Sequence, residues 1–175
     1  MPEPANRIVI DALCEPDLPH ALAIQSACYP PFLLEDENAF ASRITLGASC
    51  CLAARRGDAL LGYLLAHGWP GQSPPPVGTI LRDGGAGEVL HLHDLAVAPA
   101  ARGLRLGEQL VDAAFALAAG LGLRQAELIA VEGAAPFWRR LGFAEAPVSP
   151  DLAAKVHGYG EEARWMVRAM VGAEG

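Results

Sequence analysis

The segment from His91 to Gly107 constrains this chain more than any other, because it predicts an apolar strand, a short basic turn and the start of an amphipathic helix in direct succession. The first N–H groups of a helix have no partner inside it, and the helix dipole gives them a positive potential. Arg102 and Arg105 add positive charge in the same turn. These donors and charges predict a binding site for a phosphate or pyrophosphate group. The alternative is a structural turn with solvated arginines.

Two histidines lie on the strand that enters this turn. His91 and His93 are two residues apart, so a regular strand places both side chains on one face, with Asp94 on the other. Histidine exchanges protons near neutral pH, which predicts a general base beside a nucleotide-bearing cofactor. A dinucleotide-binding Rossmann fold is disfavoured because no Gly-x-Gly-x-x-Gly sequence occurs near the N-terminus.

Hydrophobic periodicity and turn residues predict alternating helices and strands along the rest of the chain. The strand before the basic turn and the one after the following helix form a predicted parallel crossover. A loop rich in Gly and Pro over 68–87 is either a mobile flap near the acceptor site or a solvated connection. The pattern predicts strands over 7–12, 50–55, 60–66, 88–97, 126–131, 142–146 and 164–170, and helices over 17–27, 35–46, 106–121 and 134–140.

Several sequence blocks together resemble the GNAT superfamily of acyl-CoA N-acyltransferases. The acetyl-CoA loop of that family, Arg/Gln-x-x-Gly-x-Gly/Ala, is matched over 102–107, and its Phe-Tyr-x-x-x-Gly-Phe element is matched over 137–143. Within the superfamily, His91-Leu-His-Asp-Leu-Ala-Val97 resembles the paired-histidine strand of arylalkylamine (serotonin) N-acetyltransferases. The stretch from Cys28 to Glu35 is similar to their proline-containing substrate loop.

This resemblance implies a fold and a function. The fold is a single α/β domain over 1–175, with a mixed twisted sheet of about 6–7 strands, about 4 flanking helices and a cofactor cleft between splayed parallel strands. The function is direct transfer of an acetyl group from acetyl-CoA to a primary amine of a small, arylalkyl-type molecule. His91 and His93 are the implied bases, and Tyr29, Pro30 and Phe32 the implied substrate contacts. The implied cofactor contacts are Leu95, Ala96, Val97, Arg102, Gly103, Leu104, Arg105, Leu106, Gly107, Glu108 and Trp138.

Two residues depart from the family pattern. Arg105 stands where the loop has its first glycine, so it must adopt a conformation that glycine tolerates better, or tilt the loop. Its guanidinium could then serve as a phosphate ligand. Trp138 stands where many relatives carry a tyrosine thought to protonate the departing sulfur, and an indole cannot deliver a proton. Tyr159 is the nearest substitute in the sequence.

Composition excludes several classes of protein. A net charge of −7 argues against a nucleic-acid surface and modestly favours a cationic partner. No apolar run reaches the roughly 18 residues of a membrane span, and no secretion signal opens the chain, so a cytoplasmic location is expected. Four scattered cysteines indicate reduced thiols, and no metal site is expected. A homodimer is one of the oligomeric states left open.

Three other functions stay open at this point. The acceptor could be the α-amine or a lysine of a protein, for which a wide acidic groove would be typical. It could be a polyamine or an amino-bearing antibiotic. The chain could also be a non-catalytic acyl-CoA sensor, which the departures at Arg105 and Trp138 make conceivable.

Overall fold

A computed structural model describes residues 6–82 and 87–170 of the chain. In this part, seven strands form one mixed, open sheet in the order β1-β2-β3-β4-β5-β7-β6, in which β4 and β5 are parallel and all other neighbours are antiparallel. The strands are β1 (Ile8–Ala12), β2 (Leu52–Arg56), β3 (Ala59–Trp69), β4 (Val89–Val97), β5 (Gln125–Ala130), β6 (Ala144–Glu145) and β7 (Arg164–Ala169). The helices are α1 (Leu18–Cys28), α2 (Glu37–Ile44), α3 (Leu106–Gly120), α4 (Ala135–Arg140) and α5 (Pro150–His157).

Helix α3 connects β4 to β5 and packs on one face of the sheet, as the crossover predicts. The spacing of Leu106, Leu110, Ala114, Leu117 and Leu121 in the sequence predicts an apolar stripe along this helix. Leu106, Leu110 and Ala114 are buried in the larger hydrophobic core, which confirms the first part of the stripe. The stripe then continues through the buried Ala118, because steps of four residues keep one face toward the sheet. The predicted Leu117 and Leu121 are 47% and 43% exposed instead.

Helices α1 and α2 cover the other face of the sheet. The side chain of Asp36 accepts the N–H of Ala39 at 2.8 Å, so α2 begins at Glu37 rather than at the predicted Glu35. Phe40 from α2 stacks edge-to-face on Tyr63 from β3, with ring centroids 5.1 Å apart. This second core anchors the start of α2 beside β4.

Helix α5 was not predicted, although its N-terminal signal is present in the sequence. The hydroxyl of Ser149 accepts the N–H of Leu152 at 3.1 Å, and Pro150 occupies the first turn. Leu152 and Val156 pack with Tyr159 and Trp165 in a third hydrophobic cluster. The strand predicted over 142–146 is reduced to two residues.

A β-bulge interrupts the pairing of β3 with β4 at His93. Leu65 pairs with Asp94 and Ala66 pairs with Leu92, so His93 is an extra residue between them. A bulge of one residue reverses the side-chain alternation beyond it. Asp94 therefore lies on the α1–α2 side of the sheet together with His91 and His93. The expectation that Asp94 faces away from the histidines was wrong.

The parallel strands β4 and β5 separate after a short paired region. Their described pairing covers Leu90 with Ala126, His91 with Glu127 and Leu92 with Leu128. Beyond this point β5 stays paired with β7, whereas β4 continues alone on that side as far as Val97. The separation opens a cleft through the sheet, as the resemblance implied.

The described part of the 68–87 loop is held against the site by hydrogen bonds. The N–H of Gly78 donates to Glu35, and the N–H of Leu81 donates to Ser42 at 2.9 Å. The N–H of Gln72 donates to Glu127 at 2.9 Å. The loop therefore crosses over the α1–α2 side of the cleft, and residues 83–86 lie outside the described part of the chain. Of the helices described, none has the length and apolar character needed to cross a membrane.

Candidate active site

A cavity of about 280 Å³ lies where β4 and β5 separate. It reaches from the α1–α2 side of the sheet to the side covered by α3 and α4. Its apolar wall includes Leu33, Leu64, Val77, Leu92, Ile129 and Val131. Its polar and aromatic groups come from Tyr29, Glu35, His93, Asp94, Arg102, Trp138 and Tyr159. The cavity thus has few polar groups in a largely apolar wall, as small-molecule sites usually do.

The imidazole of His93 borders this cavity and is hydrogen-bonded through Nε2 to the carboxylate of Glu35. The other oxygen of Glu35 lies 3.3 Å from Arg43 Nη1 and accepts the N–H of Gly78 at 3.0 Å. Glu35 and Arg43 side chains are only 2% and 0% exposed. A paired buried carboxylate with this many donors is rigidly positioned, so His93 is held in one orientation.

The backbone of Glu35 is fixed as firmly as its side chain. Gln25 on α1 accepts the N–H of Glu35 at 2.9 Å and donates to its carbonyl oxygen at 3.1 Å. Burial alone raises the pKa of the Glu35 carboxyl, but the hydrogen bond and charge of His93, with Arg43 and the Gly78 N–H, hold it below its ordinary value. Glu35 is thus a carboxylate that keeps the proton of His93 on Nε2 and leaves Nδ1 able to accept a proton.

His91 lies deeper in the protein than His93. It is 3% exposed, its ring centroid lies 5.9 Å from that of His93 and 5.6 Å from that of His67, and it is not among the residues that line the cavity. Burial lowers the pKa of His91 well below its ordinary value, and lowers the pKa of His67 to about 3. Both rings are therefore neutral near pH 7. The structure brings only one of the two predicted bases to the cavity.

Backbone groups of β4 face the cleft at alternate positions. The N–H of Ala98 donates to Leu61 on β3 at 2.8 Å, so strand alternation turns the N–H and C=O groups of Leu95 and Val97 toward the cleft. The carbonyl of Leu95 accepts the hydroxyl of Tyr29 at 2.6 Å, and that of Val97 accepts the thiol of Cys28 at 3.3 Å. Their N–H groups remain for a ligand, whereas the backbone of Ala96 faces β3.

The basic turn between β4 and α3 has the backbone shape of an anion site. Gly103 has φ +90°, and Arg105, the residue before α3, has φ 57° and ψ 31°. Arg105 therefore takes the left-handed conformation that glycine would favour, the first of the two outcomes considered from the sequence. Its Nε lies 3.0 Å from Glu108 Oε2 on the exposed surface. The first-turn N–H groups of Leu106, Gly107 and Glu108 are free of intrahelical partners by position, and Leu104 lies exposed between the two left-handed residues.

Trp138 and Tyr159, the two residues considered in connection with the proton donor, have different surroundings. Trp138 is 8% exposed and stacks edge-to-face on Phe143 at 5.4 Å, so it is a core residue whose edge borders the cavity. Tyr159 also borders the cavity, and its hydroxyl donates to the Pro75 carbonyl of the covering loop. Burial raises the pKa of the Tyr159 hydroxyl.

The predicted substrate loop contributes unequally. Tyr29 borders the cavity, Pro30 begins the turn over Pro31–Leu33, and Phe32 is 54% exposed against Gly160, outside the cavity lining.

Sequence reasoning missed Glu35 and Arg43 as members of the site. Glu35 stood within the proline-containing loop and at the expected start of a helix, and Arg43 stood inside that helix. Glu35 bonds to His93, which is 58 positions further along the chain, and Arg43 lies 3.3 Å from Glu35. The available signal was an arginine next to the apolar positions Phe40 and Ile44 of the predicted helix, eight residues after Glu35. No cluster of three or more potential metal ligands occurs in the described ranges.

Comparison with known proteins agrees with this fold. Among proteins of curated function, no sequence match was found. The ribosomal-protein-S18-alanine N-acetyltransferase of Escherichia coli has a similar structure, with a TM-score of 0.66, 18% identity and coverage of 96% of this chain and 98% of that one.

Two further solved structures are similar at low identity. The paia N-acetyltransferase of Thermoplasma acidophilum, solved with coenzyme A, has a TM-score of 0.64 and 13% identity, with coverage of 93% and 99%. N-acetylglutamate synthase of Neisseria gonorrhoeae, solved with coenzyme A and N-acetyl-glutamate, has a TM-score of 0.69 and 15% identity, with coverage of 94% of this chain and 35% of that one. The profile of the Acetyltransferase (GNAT) family matches residues 18–143, well over half of the chain. The chain therefore belongs to the GNAT acetyltransferase family, and its fold is the one the resemblance implied.

Proposed function

We propose that this protein is an N-acetyltransferase that moves an acetyl group from acetyl-CoA to the primary amine of a small molecule with an apolar, arylalkyl-type body. The observation that carries this proposal is the buried His93–Glu35 pair at the point where β4 and β5 separate. It places a proton acceptor in a cavity that is continuous with free backbone donors and leads toward a basic, left-handed turn. Family membership supports the acyl-transfer chemistry.

The residues present fit acetyl-CoA, which supplies the acyl group as a thioester. A Cβ on Gly103 would meet no atom within 4 Å, so the turn has open space beside its backbone. Gly103 to Glu108 would surround the pyrophosphate, with Arg102 and Arg105 adding charge. The N–H group of Val97 would pair with an amide carbonyl of the pantetheine arm, as an added strand does, and the N–H of Leu95 is left for the acyl oxygen. Solved relatives contain coenzyme A, which supports this assignment.

His93 is the principal base in this proposal. A primary amine with a pKa near 10 is mostly protonated at neutral pH, so one proton must leave before the nitrogen can attack. Nδ1 of His93 accepts that proton, directly or through water, and Glu35 stabilises the imidazolium that forms. The nitrogen loses a second proton as the amide forms, which balances the thiolate that leaves.

His91 has a different part in this proposal. It is a neutral ring behind His93 and supports the position of that ring.

Leu95 supplies the donor for the negative charge that develops on the acyl oxygen. Its N–H group belongs to the residue two positions after His93 and faces the same cleft. A donor fixed in a strand needs no reorganisation during the reaction, which is the main source of such stabilisation. A thiolate is a tolerable leaving group, so turnover does not depend on a tyrosine at position 138.

The enclosed side of the cavity favours a small acceptor over a protein. The loop over residues 70–82 closes the α1–α2 side through the bonds of Gly78 to Glu35 and of Tyr159 to Pro75. Tyr29, Leu33 and Val77 form the wall against which an apolar body would pack. Pro30 shapes this wall, and the exposed Phe32 stands near Gly160 at its outer edge.

The test is CoA release across a panel of amines with matched variants. His93→Gln should lower kcat/KM by about 10²-fold or more, and the deficit should shrink as the pH approaches the pKa of the amine. Glu35→Gln should lower kcat/KM by about 10-fold or more, because the ring then loses its orienting carboxylate. His20→Gln, which changes an exposed histidine on α1, is the control. Wild-type activity of His93→Gln at every pH, or no CoA release with any amine, would contradict the proposal.

A further inference from the structure

Three acidic side chains border the cavity, and one of them has an unpaired oxygen. Glu132 is exposed, and both oxygens of Glu35 are bonded. Asp94 differs, because its Oδ2 accepts the hydroxyl of Tyr63 at 2.6 Å while its Oδ1 is buried without a hydrogen-bond partner in the described part of the chain. A buried carboxylate oxygen without a donor opposes folding, and a donor that arrives with a ligand would satisfy it.

The bulge in β4 places this oxygen where the acceptor nitrogen must react. His93 and Asp94 are consecutive residues on the α1–α2 side, and the cleft-facing N–H of Leu95 follows directly. A nitrogen within reach of His93 and of an acyl group at Leu95 therefore lies next to Asp94. Without the bulge, Asp94 would lie on the opposite face of the sheet.

Among the described residues, no arginine or lysine forms an ion pair with Asp94. The hydroxyl of Tyr29 lies close to Asp94 but donates its one proton to the Leu95 carbonyl at 2.6 Å, and Arg43 is paired with Glu35. The single lysine of the chain, Lys155, lies exposed on α5. A ligand can supply the missing donor, and an alkylammonium group with three N–H donors matches a lone carboxylate oxygen in an apolar cavity.

Resting on the proposed function, we propose that Asp94 is the binding group for the acceptor amine and selects primary monoamines that carry no carboxylate. Oδ1 accepts an N–H of the ammonium form as it enters. After His93 has taken one proton, Oδ1 accepts an N–H that remains and offsets the positive charge that appears on nitrogen as the N–C bond forms and the C–S bond breaks. This charge is larger in the transition state than in the free amine, so the contact favours the reaction and not only binding.

The same geometry determines which amines are rejected. An amino acid would bring its own carboxylate within a short distance of Asp94 and Glu35, and like charges in a cavity of low polarity repel strongly. An arylalkylamine of the same size lacks that charge and packs against Tyr29 and Val77. The site therefore discriminates between an amine and its α-carboxylated counterpart.

The experiment measures binding to the CoA-loaded protein, independently of turnover. Calorimetry compares 2-phenylethylamine, 2-phenylethanol and phenylalanine in the wild type, Asp94→Asn and Tyr63→Phe. The wild type should prefer the amine to the alcohol by about 10- to 100-fold, the size expected for a hydrogen bond to a charged group. Asp94→Asn should reduce this preference to about 3-fold or less and improve the relative binding of phenylalanine.

Tyr63→Phe is the matched control, because it removes the partner of Oδ2 and leaves the charge of Asp94 in place. If Asp94 only held Tyr63, this variant would reproduce the loss, and that result overturns the inference. An unchanged amine preference in Asp94→Asn also overturns it. If the wild type acetylates amines but Asp94→Asn keeps the preference for the amine, only the role of Asp94 is refuted. A wild type that neither binds nor acetylates amines refutes the proposed function as well. Asp94→Ser gives the same readout if Asp94→Asn does not fold.

Discussion

Replacing Arg105 by glycine tests both the shape and the charge of the basic turn. Arg105 adopts φ 57° and ψ 31°, a region that costs a side chain about 1–2 kcal/mol and costs glycine little. About 0.5–1 kcal/mol of this advantage of glycine is lost, because glycine has more conformational freedom in the unfolded chain. The exposed ion pair with Glu108 contributes only about 0.3–0.5 kcal/mol.

These magnitudes predict an order of stability among the variants. Arg105→Ala keeps the left-handed strain and loses the ion pair, so it should be slightly less stable than the wild type. Arg105→Gly should be about 0.5–1 kcal/mol more stable than Arg105→Ala, because only the glycine relieves the strain. Urea unfolding followed by tryptophan fluorescence measures this difference directly.

Affinity for CoA separates the charge of Arg105 from its backbone shape. Both variants remove the guanidinium and leave Glu108 unpaired beside the proposed pyrophosphate position, so both should bind CoA about 3- to 10-fold more weakly. Arg7→Ala is the control for loss of one positive charge, because Arg7 directly precedes the edge strand β1, three strands away from β4 in the sheet. An alanine variant as stable as the glycine variant would refute the strain argument, and unchanged CoA affinity in both would refute the role of the charge.

Three more predictions concern His67, Trp138 and Gly107. The pKa of His67 is about 3 in the folded protein and about 6.5 in the unfolded chain. The free energy of unfolding should therefore fall as the pH drops below about 6.5, by up to about 1.4 kcal/mol per pH unit for this residue. His67→Gln should flatten the slope of unfolding free energy between pH 6 and 5, and an unchanged slope would contradict this. Trp138→Tyr should lower Tm through lost packing worth about 1–3 kcal/mol yet keep or raise kcat, and a stable variant with much lower kcat would give the indole its own role. Gly107→Glu should abolish CoA binding in calorimetry. Gly107→Ala, whose Cβ would lie 3.2 Å from Phe137 Cζ, should lower CoA affinity only in part. Equal losses of affinity in both variants would mean that the effect is steric.

Local sequence signals predicted most of the fold because the relevant contacts are local. Asp36 caps α2 and Gly57 turns the β2–β3 hairpin with φ +58°, and both features are readable from a few residues. The crossover from β4 through α3 to β5 follows from the lengths and periods of three consecutive segments. The same kind of signal is present at Ser149-Pro150, where the Ser149 hydroxyl caps α5.

The catalytic arrangement was less predictable because it depends on distant contacts. Glu35 meets His93 only because α2 packs against β3, and its side chain looks like an ordinary first-turn acid in the sequence. The bulge at His93 carries no glycine or proline that would announce it. One extra residue there decides which side chains share a face, and sequence alternation alone assigns Asp94 to the wrong one.

Charge balance explains why these groups occur together in a cavity of low polarity. With neutral His93, the charges of Arg43 and Glu35 cancel. Burial raises the pKa of Asp94, because its ionised form carries one negative charge without a counterion. An entering ammonium group cancels that charge. Transfer of its proton to His93 then moves positive charge across the cavity without changing the total, so no net charge has to be created in a poorly solvated place. A neutral asparagine at position 94 would instead require the ammonium to enter unpaired, and for this reason Asp94 should matter more for cationic amines than for neutral ligands of the same shape.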